Sequence, residues 1–264
     1  MGRKPAWAIE RERARRAEGA ADLWLFGLHA VRDALTNPAR EKRSLVVTAN
    51  AAQRLADAIA AAGIEPRIVD TRRFDAPLDP QSVHQGAALQ VEPLDWGSVS
   101  EVCAPRGDAP RVLLLDRVSD PHNVGAILRS AEVFGARAVV APQRHSAPES
   151  GALAKSASGA LERQPYLRVP NLARAIGTLR DMGYAVLGLD GEGEAELVEG
   201  LAGLEDRPVA LVLGAEGPGL RELTVKLCDR RLRIPAAGAF GSLNVSNAAA
   251  VALYAATRGG ARLK

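Results

Sequence analysis

In the second half of the chain, short runs at 112–116, 138–141, 185–189, 209–213 and 231–234, the first four mostly apolar, read as strands and alternate with segments of helical period at 124–134, 172–182 and 244–256. Runs that are apolar at successive positions belong to strands covered on both faces, and strands that return through helices lie parallel. The pattern predicts an α/β domain built on a parallel sheet. In such a sheet the loops leaving the carboxyl ends of the strands gather along one edge, where ligands bind.

Three of the runs open onto polar, glycine-bearing segments. Asp120-Pro121-His122-Asn123-Val124-Gly125 and Arg129 follow the first. Gly214-Ala215-Glu216-Gly217-Pro218-Gly219 follows the fourth. Pro235, Gly238, Gly241, Ser242, Leu243, Asn244, Val245, Ser246 and Asn247 follow the fifth. Glycine admits backbone close to a ligand, and Ser and Asn place hydroxyl and amide groups where helix-start N–H groups lack partners. The third segment runs into Val245, Ala248, Ala249, Ala252 and Ala256, a narrow stripe of small apolar residues that lets a neighbour pack close.

From the residues alone, each of these side chains has two readings. Arg129 points away from the stripe Val124, Ile127, Leu128, Ala131 and Phe134, and either meets a substrate or pairs with Glu132. Asn123 either orients a substrate or caps its helix. Glu216 fixes a neighbouring loop, touches a substrate, or serves as a helix-start carboxylate before 220–223. Ser246 reads as a cap.

Asn123 and Arg129 with Gly125 between them, then Gly214-x-Glu216-Gly217-x-Gly219, then Ile234-Pro235 and Ser242-Leu243-Asn244-Val245-Ser246, occur in that order. They resemble the three signature motifs of the SpoU/TrmH branch of the SPOUT methyltransferases, and the chain is similar to the branch's RlmB-type ribosomal RNA ribose methyltransferases. Phe26-Gly27-Leu28-His29-Ala30-Val31 and His84-Gln85-Gly86 resemble that family's small RNA-binding domain. The resemblance implies a trefoil knot in the parallel-sheet domain, a homodimer, and 2′-O-methylation of a guanosine in 23S ribosomal RNA. The cofactor it implies is S-adenosylmethionine, with backbone at Gly214, Ile234 and Leu243 meeting the adenosine and the Ile and Leu side chains offering apolar walls. It implies catalytic roles for Arg129, Asn123, Glu216, Ser242 and Asn244, with Arg129 on the target nucleotide's phosphate and Ser242 and Asn244 near the ribose. A transfer RNA ribose methyltransferase and a non-catalytic ribosome-assembly factor that binds RNA are the alternatives; the five intact polar residues argue against the second.

The chemistry asks for such residues. A ribose 2′-hydroxyl is a poor nucleophile at neutral pH, so it must be held in line with an electrophilic methyl while the developing negative charge is stabilised. Arginine supplies permanent charge and is no base, which leaves the proton to a phosphate or to water.

At 264 residues the chain is long enough for two cores. Residues 1–22 read as a basic tail. Within 1–20, six cations (Arg3, Lys4, Arg11, Arg13, Arg15, Arg16) face three glutamates (Glu10, Glu12, Glu18), which accounts for the whole net charge of +3. Such a tail is either a phosphate-binding arm or a solvated leader. Residues 23–92 read as a small α/β RNA-binding domain, with helix at 31–35 and 51–62 and strand at 45–48, 67–70 and 87–91. The Pro- and Gly-punctuated stretch 93–110 reads as a linker, and 111–264 as the catalytic domain. Residues 145–159, with Lys155 and Ser156, read as a loop and short helix, RNA-facing or merely solvated, and Gly191-Glu192-Gly193-Glu194 as a surface turn.

Two cysteines, Cys103 and Cys228, make no disulfide framework, and four scattered histidines make no metal set. No run reaches membrane-spanning length, and the Arg- and Glu-rich amino terminus has no signal-peptide core. The partner implied by the resemblance is RNA, with no DNA or membrane expected, and the expected compartment is the cytoplasm.

Overall fold

The computed structural model describes residues 23–238 and 242–258, so the basic tail lies outside the described residues. The chain divides into two compact units between Leu94 and Asp95.

The smaller unit contains β1 (Leu23–Phe26), α1 (Leu28–Thr36), β2 (Lys42–Thr48), α2 (Ala49–Arg54), α3 (Ala56–Ala62), β3 (Pro66–Val69) and β4 (Ala87–Val91). Its sheet order is β1-β4-β2-β3, with β4 antiparallel to both neighbours. The helix expected over 51–62 is two helices, broken at the buried Leu55 (φ −107°, ψ 7°) and stopped at Gly63 in the left-handed conformation. Two sequence motifs meet at one end of this sheet. Gly27 has no side chain to cap α1, and Gln85 Oε1 accepts the Leu28 N–H instead, at 3.1 Å. Gly86 holds φ 78°, and a Cβ there would lie 2.4 Å from Thr48 Oγ1. His84 stacks on Phe74 with ring centroids 4.0 Å apart.

The larger unit contains α4 (Val99–Val102), β5 (Arg111–Asp116), α5 (Pro121–Val133), β6 (Ala138–Pro142), α6 (Gly151–Ala157), β7 (Tyr166–Val169), α7 (Leu172–Asp181) and β8 (Ala185–Leu189). It continues with β9 (Ala195–Glu196), α8 (Leu197–Leu201), β10 (Val209–Gly214), α9 (Glu222–Leu227), β11 (Arg230–Arg233) and α10 (Val245–Arg258). Seven strands lie in the order β7-β6-β5-β10-β8-β11-β9, each parallel to its neighbours. β5 and β6 are buried at every position, and both are apolar along their length except for Arg111 and Asp116 at the two ends of β5.

From β5 the chain steps outward to β6 and β7, then crosses to β8, and β10 later fills the place between β5 and β8. The strand order therefore reverses at β5 and β10, and the loops after these strands diverge to leave a crevice between them.

The stretch read as a linker is structured from Asp95 onward. Ser98 and Glu101 form a capping box on α4. Trp96, Val99 and Val102 pack on the larger core, where Cys103 is buried. The Cys103 carbonyl accepts the Tyr184 hydroxyl at 2.6 Å. Proline and glycine do punctuate the segment, but it holds one short capped helix, and its apolar residues are drawn onto the larger core.

The small-residue stripe of α10 is used within the chain. Val245, Ala249, Ala252 and Ala256 are buried, and α10 packs against α5 and the central strands.

Candidate active site

The crevice is built from three loops. β5 ends at Asp116, wholly buried and in register with Gly214 at the end of β10. The Asp116 carboxylate accepts the Arg221 backbone N–H (3.1 Å), the Arg221 Nε–H (2.6 Å) and the Thr224 hydroxyl (2.6 Å). It thereby fixes the far end of the loop after β10. That loop doubles back through a bridge between Ala215 and Gly219. A Cβ on Gly214 would sit 2.2 Å from the Gly219 carbonyl carbon, so glycine is required there by the loop's own closure. Glu216 stands at the turn, exposed.

α5 is started by Asp120, whose side chain accepts the His122 N–H, with Pro121 in the first turn. Asn123 is thus released from capping and reaches across the crevice, its Nδ2 donating to Glu216 Oε1 at 3.1 Å. Asn244, from the segment after β11, joins both. Its Nδ2 donates to Asn123 Oδ1 at 2.8 Å and to Glu216 Oε1 at 2.5 Å. Its Oδ1 accepts the Ser246 and Asn247 backbone N–H groups (2.9 and 3.4 Å) and the Ser246 hydroxyl (2.5 Å). Asn244 is therefore the cap of α10, and Ser246, expected in that role, donates to it. Asn123 from the first turn of α5, Glu216 from the loop after β10 and Asn244 from the segment before α10 share one hydrogen-bonded cluster.

Arg129 stands outside this cluster. Six residues beyond Asn123, it lies about 9 Å further along α5 and roughly 120° around it. It is exposed and unpaired among the described residues, because Glu132 is bonded to Arg163 instead. Gly125 faces α6 so closely that a Cβ there would lie 2.5 Å from Ser156 Cβ and 2.8 Å from Ala157 N. His122 Nδ1 and Ser156 Oγ, 3.0 Å apart, tie the same two helices, while Lys155 is exposed. Ser242 is exposed, Leu243 keeps 47% of its surface open, and Ile234 is half-buried.

Sequence reasoning missed two residues here. Asp116 is the carboxylate that closes an apolar run, and its burial is the signal. Arg117, the next residue, is exposed and left-handed at φ 64°, a conformation that costs a non-glycine residue ~1–3 kcal/mol. After it, the Val118 carbonyl accepts the Ala147 N–H at 3.3 Å. The Ala147 carbonyl in turn accepts the hydroxyl of Tyr166, whose phenol is pushed up to about 12, chiefly by burial.

Residues 110–254 match the SpoU rRNA Methylase family, and residues 24–96 match the family described as RNA 2'-O ribose methyltransferase substrate binding. The chain is 39% identical to the 23S rRNA (guanosine-2'-O-)-methyltransferase RlmB of Ralstonia nicotianae, over 89% of this chain and 94% of that protein. It is 36% identical to the protein of the same name from Pseudomonas putida, over 89% and 95%. Among solved structures, an AdoMet-bound rRNA methyltransferase from Sinorhizobium meliloti superposes with a TM-score of 0.75 at 24% identity, covering 95% of this chain and 90% of that one, a likeness of fold. With the three loops, their order and these matches in place, the chain belongs to the SpoU rRNA methylase family.

Proposed function

We propose that the chain transfers the methyl group of S-adenosylmethionine to the ribose 2′-oxygen of a guanosine in 23S ribosomal RNA. The observation that carries this reading is the Asn123–Glu216–Asn244 cluster at the reversal of the parallel sheet. Relatives of 36–39% identity over nearly their full length carry that activity in their names.

S-adenosylmethionine supplies an electrophilic methyl on a sulfonium centre. Backbone at Gly214, Ile234 and Leu243 would hold its adenosine, with the Ile234 and Leu243 side chains offering apolar walls. Asn123, Glu216 and Asn244, already fixed by one another, present amide and carboxylate groups to the ribose without reorganising. Ser242, exposed beside Asn244, reaches the same sugar or its phosphate. Arg129 acts apart from the cluster, as fixed positive charge on the target phosphate. When bound, that methyl would pass to the hydroxyl oxygen and leave the thioether behind, while the hydroxyl's proton would go to a phosphate oxygen or to water.

Residues 23–92 serve in this reading as the RNA-binding domain and 111–264 as the catalytic domain, in the cytoplasm. No described helix is long and apolar enough to cross a membrane. A homodimer is favoured by the outer faces of α5 and α10, where Val133 is largely exposed, Val251 and Tyr254 are partly so, and Phe134 meets Tyr254 edge-on at 6.0 Å. Sedimentation of wild type and Val251→Glu tests it, with a dimer expected to give way to monomer.

The activity test is transfer of labelled methyl to unmodified 23S and transfer RNA, with the labelled nucleoside identified after digestion. Label in 2′-O-methylguanosine from 23S RNA, abolished by Arg129→Ala, is the expected result. Label confined to transfer RNA overturns the substrate, and binding of both ligands without transfer overturns the reaction.

A further inference from the structure

Two neighbouring loops at the carboxyl edge of the large sheet carry left-handed residues that are not glycine. Arg117 follows β5 at φ 64°, and His145 follows β6 at φ 61°. The loops are joined by the hydrogen bond from Ala147 N–H to the Val118 carbonyl. Asparagine and aspartate tolerate this conformation by bonding their own backbone, and glycine meets no Cβ penalty; arginine has neither relief. A side chain kept where backbone geometry favours glycine points to a use for that side chain.

The local charge gives the use its sign. Arg117 and Arg144, one on each of the bridged loops, are exposed and unpaired among the described residues. The carboxylates that flank Arg117 in sequence are engaged elsewhere. Asp116 is buried on Arg221 and Thr224, and Asp120 caps α5. Lys155 and Arg129, on the paired helices α6 and α5, are exposed cations as well. Arg117 is one residue from the register partner of Gly214 and six from Asn123, so its backbone borders the crevice.

We infer that Arg117, with Arg144 across the loop bridge, grips a backbone phosphate of the substrate RNA beside the Asn123–Glu216–Asn244 cluster. This rests on the RNA methyltransferase reading above. A guanidinium forks onto two phosphate oxygens, and an unpaired one has no desolvated partner to give up on binding. The contact positions the strand and carries no base information of its own.

The test uses the full chain and an unmodified 23S ribosomal RNA transcript, with affinity measured across a salt series. Arg117→Gly removes the charge and releases the backbone strain together. Its melting temperature should hold or rise. Its RNA affinity should fall by about three- to tenfold, the slope of log K against log salt should shrink by about 0.7–0.9, and KM for RNA should rise by more than kcat falls. Arg117→Lys should restore most of the slope and Arg117→Asn none of it. A Gly variant that keeps the wild-type slope and affinity overturns this proposal alone. A wild-type chain that neither binds nor methylates the transcript overturns the proposal together with the function beneath it.

Discussion

Asn244 and Glu216 lie 28 residues apart, and the Asn244 amide donates to the Glu216 carboxylate at 2.5 Å while its own carbonyl oxygen caps α10. One side chain thus orders a helix start and a crevice, and two substitutions separate the tasks. Asn244→Asp keeps a capping oxygen but replaces the donor with a carboxylate facing Glu216. Asn244→Ala removes both. Thermal unfolding should show a loss of about 0.5–2 kcal/mol in the Ala variant and a smaller one in the Asp variant, whereas methyl transfer should fall at least tenfold in both. An Asp variant with wild-type turnover would show that the cluster has no part in the chemistry.

Asp116 predicts a different balance. Replacing it with Asn keeps the shape but turns an NH2 group toward donors on Arg221 or Thr224 inside a buried site. A buried donor left without an acceptor costs about 1–3 kcal/mol. Because these bonds hold the end of the Glu216 loop, S-adenosylmethionine affinity, read by calorimetry without RNA, should fall with stability. Thr224→Val removes one of the three bonds and should reproduce the affinity loss in part. Undiminished cofactor affinity in both variants would separate Asp116 from the loop.

The parallel sheet was legible because strands buried on both faces are apolar along their interior, and 112–115 and 209–213 show that plainly. The three loops were legible because glycine, asparagine and serine gathered after such strands. The sequence could not reveal which polar atoms meet. Asn123, Glu216 and Asn244 are joined only because β10 enters between β5 and β8, a placement set by packing over some 100 residues of chain and by no local signal. β1, β7 and β9 went unread; β9 has two residues, too few for any period to show. Glu216 satisfied neither backbone reading offered for it, because Asp116, hidden inside an apolar run, had already taken the helix-start N–H of Arg221.

Acid should loosen the sheet edge that leads into the third loop. Glu194 accepts the Arg231 backbone N–H at 3.0 Å, and that bond, reinforced by the Arg231 charge, holds its carboxyl below the ordinary range. Asp108, bonded by the Arg106 N–H and by Arg137, and Glu205, bonded by its own backbone and by Gly203, are lowered likewise. With folded pKa values below the unfolded ones, the unfolded chain takes up protons first. The stabilisation is therefore present above the ordinary carboxylate pKa and is lost as pH falls through the folded values. Melting temperature should decline between about pH 5 and pH 3, and Glu194→Gln should flatten part of that decline. An unchanged pH profile in the variant would remove Glu194 from the acid transition.

Gly125 gives the sharpest test of how the fold positions the first loop. A methyl group there would stand 2.5 Å from Ser156 Cβ and 2.8 Å from the backbone nitrogen of Ala157, and backbone cannot move aside as a flexible side chain can. Gly125→Ala would gain helix propensity in isolation, yet in this packing it should destabilise by about 1–3 kcal/mol, as overpacked cores do. The displacement must be taken up between α5 and α6, which moves both Asn123 and Arg129, since they ride on α5. Methyl transfer should therefore fall further than stability alone accounts for, when assayed well below the melting temperature. Ser156→Gly removes the nearest side-chain atom, Ser156 Cβ, while the backbone contacts at Ser156 and Ala157 remain. The double variant Gly125→Ala with Ser156→Gly should thus recover only part of the loss, and full recovery would place the clash in the serine side chain instead of the helix backbone.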